Sequence, residues 1–431
     1  MWPQDGAVTH DGRQVTNPGS GVFRRRRTGR LALLAAVAVA AVMAWIALRD
    51  VGGRSDRPDL RNGRSFIQDN LWTTERHQYA VWVGPGGVPL VGQRDRDGGT
   101  WQVEDLGELT GNPLSSPTDA DLHNVYSIGV DADGYVHVAG NMHAQPLRYV
   151  RTRSPHDITR WQVGELVDAT GRVTYPSFAA MPDGTLLFFR RQGVPGESEI
   201  VLDAKGPGEV SWQHRGAVVS GLETDEGPYL HRVAVDGRSG AIHLLIEWRS
   251  TIDPLTTNDV TYARSTSGGR TWERSDGTRL PTPVTHTAAE VVIDTPDRSS
   301  GLLNGGGLTI DGAGRPHAAV TFRTGRARRL VHVWRTADGW RRQRIRGWVP
   351  DARPAILTAA DGRVWLLGSR GRSIEAFPVS DDGPVRFVAD AVRGWEPTYD
   401  SGALHLHGEV QLLVPTGSSP EVVRADLAGG G

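Results

Sequence analysis

Two histidines stand twenty residues apart, His123 in Asp121-Leu122-His123-Asn124 and His143 in Gly140-Asn141-Met142-His143. Between them lie two strand-like runs, residues 125–130 and 135–139, joined by an Asp133-Gly134 turn. The imidazoles therefore flank one hairpin and can meet at one end of it, where imidazole suits proton transfer near neutral pH. The same spacing also suits core or capping histidines, or two ligands of a metal for which no third ligand stands out locally. An arginine pair follows in Phe188-Phe189-Arg190-Arg191-Gln192-Gly193, after the turn Pro182-Asp183-Gly184. Strand alternation sends Arg190 and Arg191 to opposite faces. One of them can hold a carboxylate through two parallel hydrogen bonds, or face solvent. Tyr175 precedes Pro176 and so sits in extended, loop-like backbone. Gly227-Pro228-Tyr229 is a rigid turn that presents a phenol, and His231 and Arg232 enter the strand after it. Arg249 ends Glu247-Trp248-Arg249, and Asn258-Asp259 can bind sugar hydroxyls or shape a turn. Asn304-Gly305-Gly306-Gly307 lacks the strand-to-helix context of a phosphate loop.

Groups so far apart in sequence need a scaffold that gathers loops around one place. Seven turns recur: Gly86-Gly87, Asp133-Gly134, Asp183-Gly184, Ser239-Gly240, Ala313-Gly314, Asp361-Gly362 and Ser401-Gly402. Their second glycines are 47, 50, 56, 74, 48 and 40 residues apart, and most precede a short apolar run such as Thr185-Leu186-Leu187-Phe188 or Ala403-Leu404-His405-Leu406. A period of about 50 residues built of strands and turns predicts an all-β, seven-bladed β-propeller of four-stranded blades. Ser265-Thr266-Ser267-Gly268-Gly269-Arg270-Thr271-Trp272 resembles an Asp-box hairpin with Ser267 in place of the aspartate, and Trp272 is expected in the core. Looser echoes are Asp97-Gly98-Gly99-Thr100-Trp101 and Asp338-Gly339-Trp340.

The chain's 431 residues suit one propeller, and a net charge of −1 gives no electrostatic case for nucleic acid. The absence of cysteine excludes disulfides, thiolate nucleophiles and cysteine-containing zinc sites. Residues 31–48 form an uncharged apolar run behind Arg24-Arg25-Arg26-Arg27 and Arg30. That pattern predicts a transmembrane signal anchor over 29–49, with the N-terminus cytoplasmic and the rest extracytoplasmic. A cleaved signal peptide is the rival reading. The expected organisation is a cytoplasmic disordered tail at 1–28, the anchor, a linker at 50–62, the propeller at 63–418 and a flexible tail at 419–431. The segment 65–70 is expected to complete the last blade.

The series DLHN, GNMH, TYPSF, MPDGTLLFFRRQG, EGPYLHR, EWR, NDVTYARS-x-x-GG-x-TW and LTIDGAGRPH resembles the BNR-repeat proteins grouped with ulvan lyases. The resemblance implies a polysaccharide lyase that cleaves an anionic, uronate-containing glycan by β-elimination without a cofactor. By motif it assigns His123, His143, Tyr175, Arg191 and Tyr229 to the catalytic site, with Arg190 as an alternative to Arg191. Asn124, Asn141, His231, Arg249 and Asn258 are the accompanying candidates for substrate binding. Related lyases can carry a structural metal with a cysteine ligand; this chain has none, so no such metal site, or only a histidine one, is expected. Three other readings remain open: a carbohydrate-binding propeller without turnover, a sialidase-like glycosidase, for which no clear acid pair is visible, and a purely structural or protein-interaction propeller.

Overall fold

The computed structural model describes residues 59–64, 69–108, 114, 121–164, 171–298, 300–379, 384–416 and 419–427. Among these residues, seven antiparallel sheets follow one another along the chain. Five have four strands laid side by side in chain order: residues 71–105, 126–163, 173–220, 307–344 and 355–390. The fourth sheet, 227–293, has seven strands, and the last, 410–425, has two. Seven regular four-stranded blades were expected; five sheets have that form. In the fourth sheet the first strand is split into Gly227–Leu230 and Ala234–Val235, both paired with Ile242–Arg249, and extra short strands extend the far side.

The strand sequences follow from where they lie. Second strands such as Ile242–Arg249 are buried along their whole length, because neighbouring sheets cover both faces. They are largely apolar without strict alternation, and polar members such as His243 and Glu247 are buried with the rest. Outermost strands such as Gly339–Arg344 meet water and are polar. Four of the recurring turns close with one bond: the amides of Gly134, Gly184, Gly314 and Gly362 each donate to the carbonyl three residues earlier, at 2.8–3.0 Å. Those glycines have φ between 78° and 88°, a region that strains residues with a Cβ.

Apolar clusters lie between successive sheets. Ile128 and Val138 pack with Phe178 and Phe188, and Leu187 and Leu202 with Leu244 and Trp248. Leu245 and Tyr262 meet Leu308 and Val333, and Ala319 and Leu330 meet Ile356 and Leu366. Leu357 and Trp365 then meet Leu412 and Val414, and Leu413 returns to Leu71, Ala80 and Trp82 of the first sheet. A succession of sheets whose last member packs on the first is an all-β propeller. Polar bonds join the same two ends: Thr73 Oγ1 donates to Asp400 Oδ2 at 2.6 Å, and Gln78 Nε2 to Gln411 Oε1 at 2.7 Å. Trp82 is fully buried at this junction. Trp82→Ala should therefore cost about 3–5 kcal/mol, read as a lowered urea midpoint; a shift below about 1 kcal/mol would mean that the junction carries little of the stability.

Other expectations are corrected. Residues 401–407 form not a turn and strand but a helix, α1 (Ser401–His407). Asp400 caps its start by accepting from Ala403 N, and Gly408 (φ 66°) ends it with its N–H on Ala403 and Leu404 carbonyls. The tail expected at 419–431 contributes the strand Ser419–Ala425, paired with Val410–Thr416, and Leu427 is buried in the core. At the other end, Leu60–Asn62 is a short 3-10 turn rather than linker, and the Asn62 side chain bonds both backbone groups of Val83. Of the segment 65–70, Asp69 and Asn70 are described; their carbonyls accept from Ile128 and Val81, in the second and first sheets. No helix among the described residues is long and apolar enough to cross a membrane, and the anchor expected at 29–49 lies outside them.

Candidate active site

The chemistry-bearing groups collect where inner strands begin and second strands end. Asp121–Asn124 leads into the strand Tyr126–Val130, and Asn141–His143 leaves the strand Val136–Gly140. Asn141 adopts φ 55°, and its side-chain amide donates to the Leu114 carbonyl at 3.0 Å, holding this corner. Asn124 is buried beside it, its amide bonded to the Asp121 carbonyl. The imidazoles of His123 and His143 stack with centroids 4.0 Å apart and planes at 21°.

Asp121 joins them. Its Oδ1 lies 2.5 Å from His123 Nδ1 and its Oδ2 2.7 Å from His143 Nδ1, while Oδ1 also accepts from His123 N at 2.9 Å. Desolvation pushes this carboxyl up, but the His123 amide and the two imidazoles outweigh it and hold it at about 2. Burial lowers the His123 imidazole below its ordinary value; His143 and Arg191 push the same way, against Asp121. The three side chains remain 36, 33 and 30% exposed, so a ligand can reach them. Among the described residues they are also the group close enough to hold a metal ion. Asp121 is the functional candidate that the sequence reading passed over: it stood in the quoted DLHN segment, two residues before His123, without a role.

Tyr175 continues the row. Its ring lies 5.9 Å from that of His123 and 6.0 Å from that of Tyr229. The extended backbone expected before Pro176 is not found, for Tyr175 has φ 58°. It sits where the pairing of Val173–Ala180 with Leu186–Val194 shifts register between Phe189 and Arg191, a bulge that re-aims side chains. Burial pushes the Tyr175 phenol up, against the opposing pull of Arg191. Arg191 lies between the two phenols, its guanidinium carbon 4.9 Å from the Tyr175 ring centre and 4.7 Å from that of Tyr229. It is 1% exposed, gives Nη2 to Thr174 Oγ1 at 3.3 Å, and its Nε and Nη1 have no hydrogen-bond partner. Arg190 borders the same cleft, but its guanidinium pairs with buried Asp203 and lies against Phe188, whereas that of Arg191 lies against both phenols.

Arg249 lies beyond Tyr229, 4.3 Å from its ring centre, and donates to the Tyr229 hydroxyl and to Asn304 Oδ1, each at 3.0 Å. The loop of Asn304 thus places an arginine, and Gly305 N donates to Glu247 Oε2. His231 Nε2 bonds Glu247 Oε1 at 2.9 Å, while its buried Nδ1 has no partner. His231, Arg191 and both tyrosines line a cavity of about 30 Å³. Asn258 is set apart from this row: its amide donates to Ser250 Oγ and the Thr256 carbonyl and shapes the turn. A larger cavity of about 1090 Å³ opens at the opposite ends of the inner strands. Three of its acids serve turns: Asp131 accepts from Tyr135 N, Asp236 from Arg238 N and Asp311 from Ala313 N. The smaller cavity is the one that Arg191, His231 and both tyrosines border.

A propeller with this row of side chains defines a class of β-propeller proteins with a polar cleft at one end of the ring. Residues 77–348 match the BNR repeat-containing family, and the chain belongs to it. It is 22% identical over 457 residues to an ulvan lyase of Alteromonas sp. (strain LOR), covering 86% of this chain and 82% of that protein. Among solved structures it is similar to a PL25 ulvan lyase bound to -[GlcA(1-4)Rha3S]-, with a TM-score of 0.64 and 16% identity, over 86% of this chain and 94% of that one. The polysaccharide lyase Uly1 superposes with a TM-score of 0.61 and 15% identity, over 83% and 89%.

Proposed function

We propose that this protein is a polysaccharide lyase that cleaves a uronate-containing anionic glycan by β-elimination. The observation that carries the reading is Arg191, a buried guanidinium between two phenols with two of its nitrogens unpartnered. A buried cation with donors to spare calls for an anionic acceptor. A sugar carboxylate meets that need, and it gains charge when the neighbouring C5 proton leaves, which is when the arginine stabilises it most. His123, neutral at neutral pH by its lowered proton affinity, takes the C5 proton. Tyr175 keeps its phenolic proton and gives it to the departing glycosidic oxygen. Tyr229 and Arg249 hold the other side of the sugar, and His143 assists His123. The relatives named as ulvan lyases support this reading.

The fold reading goes with it: the seven sheets are the seven blades of one ring, the fourth enlarged by an inserted hairpin and the last reduced. The apolar run at 31–48 behind its arginines anchors the propeller to the outer side of a membrane.

The test is to incubate the full-length protein with a panel of uronate polysaccharides and follow the C4–C5 unsaturated product by near-ultraviolet absorbance. Absorbance that grows with one polymer supports the lyase. Binding of a polymer with no unsaturated product would replace it by a carbohydrate-binding propeller.

A further inference from the structure

We propose that Asp121 is a positioning residue that locks both imidazoles of the His123–His143 stack in the Nδ1–H tautomer, making Nε2 the basic nitrogen of each ring. The inference deepens the lyase reading and takes its catalytic consequence from it, but the tautomer assignment stands without it. Both Nδ1 atoms lie within hydrogen-bond distance of one carboxylate, one on each oxygen. An ionised carboxylate only accepts, so each Nδ1 must carry the proton. The stack itself cannot supply this order, because two parallel imidazoles 4.0 Å apart have no hydrogen bond between their faces. The third bond, from His123 N to Oδ1, fixes the carboxylate relative to the backbone. Asp121 thus sets the orientation of the pair from a position two residues upstream of the first ring. The N–O distances of 2.5 and 2.7 Å are hydrogen-bond lengths.

The substitution that separates positioning from mere structure is Asp121→Asn. An amide of the same shape has one accepting oxygen and one donating nitrogen. It can accept from only one Nδ1–H, and the other imidazole must turn its Nδ1 into an acceptor and move its proton to Nε2. The experiment is nitrogen-15 NMR of the histidine-labelled full-length protein at a pH of about 8.5, above the ordinary imidazole range. His123→Gln and His143→Gln variants assign the two rings. In the parent both rings should show a protonated Nδ1 and a bare Nε2. In Asp121→Asn one ring should exchange the two signal types while circular dichroism stays unchanged. If a lyase substrate is in hand, product formation should fall by about 10²-fold or more with the tautomer change. A parent ring with its proton on Nε2, or both rings unaltered in Asp121→Asn, overturns the proposal. So does a metal-shifted Nδ1 signal on adding equimolar zinc. Loss of the lyase reading alone would leave the NMR result standing.

Discussion

Arg191→Met should abolish the formation of unsaturated product, lowering kcat/KM by about 10³-fold, while leaving the protein as stable as the parent or more so. The two halves of that expectation come from one feature. In the folded chain Arg191 is a buried cation that makes one long bond to Thr174 and lies against two aromatic rings, with Nε and Nη1 unsatisfied. A charge held without its full set of partners costs stability, and an apolar side chain of similar length removes that cost. The same unsatisfied nitrogens are what a uronate carboxylate would take, and removing a donor aimed at developing negative charge costs about 10²–10³ in rate. The ground-state carboxylate is held there too, so KM rises along with the loss in kcat. Arg191→Lys keeps a charge but not the planar fork, and should fall between the two. The outcome that would sink this assignment is product formation by Arg191→Met within tenfold of the parent.

Arg190 is the control, one residue away. It pairs with buried Asp203, and Asp203 also takes a bond from His214 Nδ1 at 2.7 Å. Removing Arg190 leaves that carboxylate buried without its main counter-charge, which costs about 3–5 kcal/mol. Neighbours in sequence thus have opposite signatures: one should cost function and spare the fold, the other should cost the fold.

That difference shows what the sequence could and could not disclose. Alternation put the two arginines on opposite faces, but which face was the cleft depended on the bulge at Tyr175 and Arg191, a register slip with no composition signal. The repeated glycine turns were legible because positive φ leaves a residue-type mark. Residues 401–407 read as one more turn and strand because Ser401-Gly402 matched the repeat. The helix is set instead by its two caps, Asp400 and Gly408, eight residues apart across it. Ser267 shows the reverse: the missing Asp-box carboxylate is replaced by hydroxyls, with Ser267 Oγ accepting from Thr271 N at 2.9 Å and Ser265 Oγ from Gly269 N at 2.9 Å. Trp272 is buried as expected. Asp121 escaped notice because its partners are set by a loop closing in space, and Asp two residues before a histidine is common in any turn.

The second large effect lies at the junction of first and last sheets. Asp400 is fully buried, and its carboxylate accepts from Thr73 N, Thr73 Oγ1 and Ala403 N. Asp400→Ala removes a helix cap and two bonds across the junction together, and should lower unfolding free energy by about 3 kcal/mol. Asp400→Asn should behave otherwise, because burial, with the charge of Asp69 behind it, pushes the Asp400 carboxyl from 3.8 up to about 7 in spite of the Thr73 and Ala403 donors. The folded protein therefore binds this proton more tightly than the unfolded chain does. In linkage terms the contribution to stability is intact below about pH 4 and declines as pH rises towards 7, above which it is constant. A gap of about three units corresponds to roughly 4 kcal/mol at most. Asparagine keeps the shape and the accepting oxygen of the neutral acid and cannot ionise, so the variant should lack this decline. Urea unfolding of parent and Asp400→Asn from pH 4 to 8 isolates the term, since every other titrating group is shared. The variant should gain on the parent across that interval, by up to the same few kcal/mol. A difference that stays flat with pH would show that Asp400 is ionised in the folded protein throughout, its charge held by the Thr73 and Ala403 donors alone.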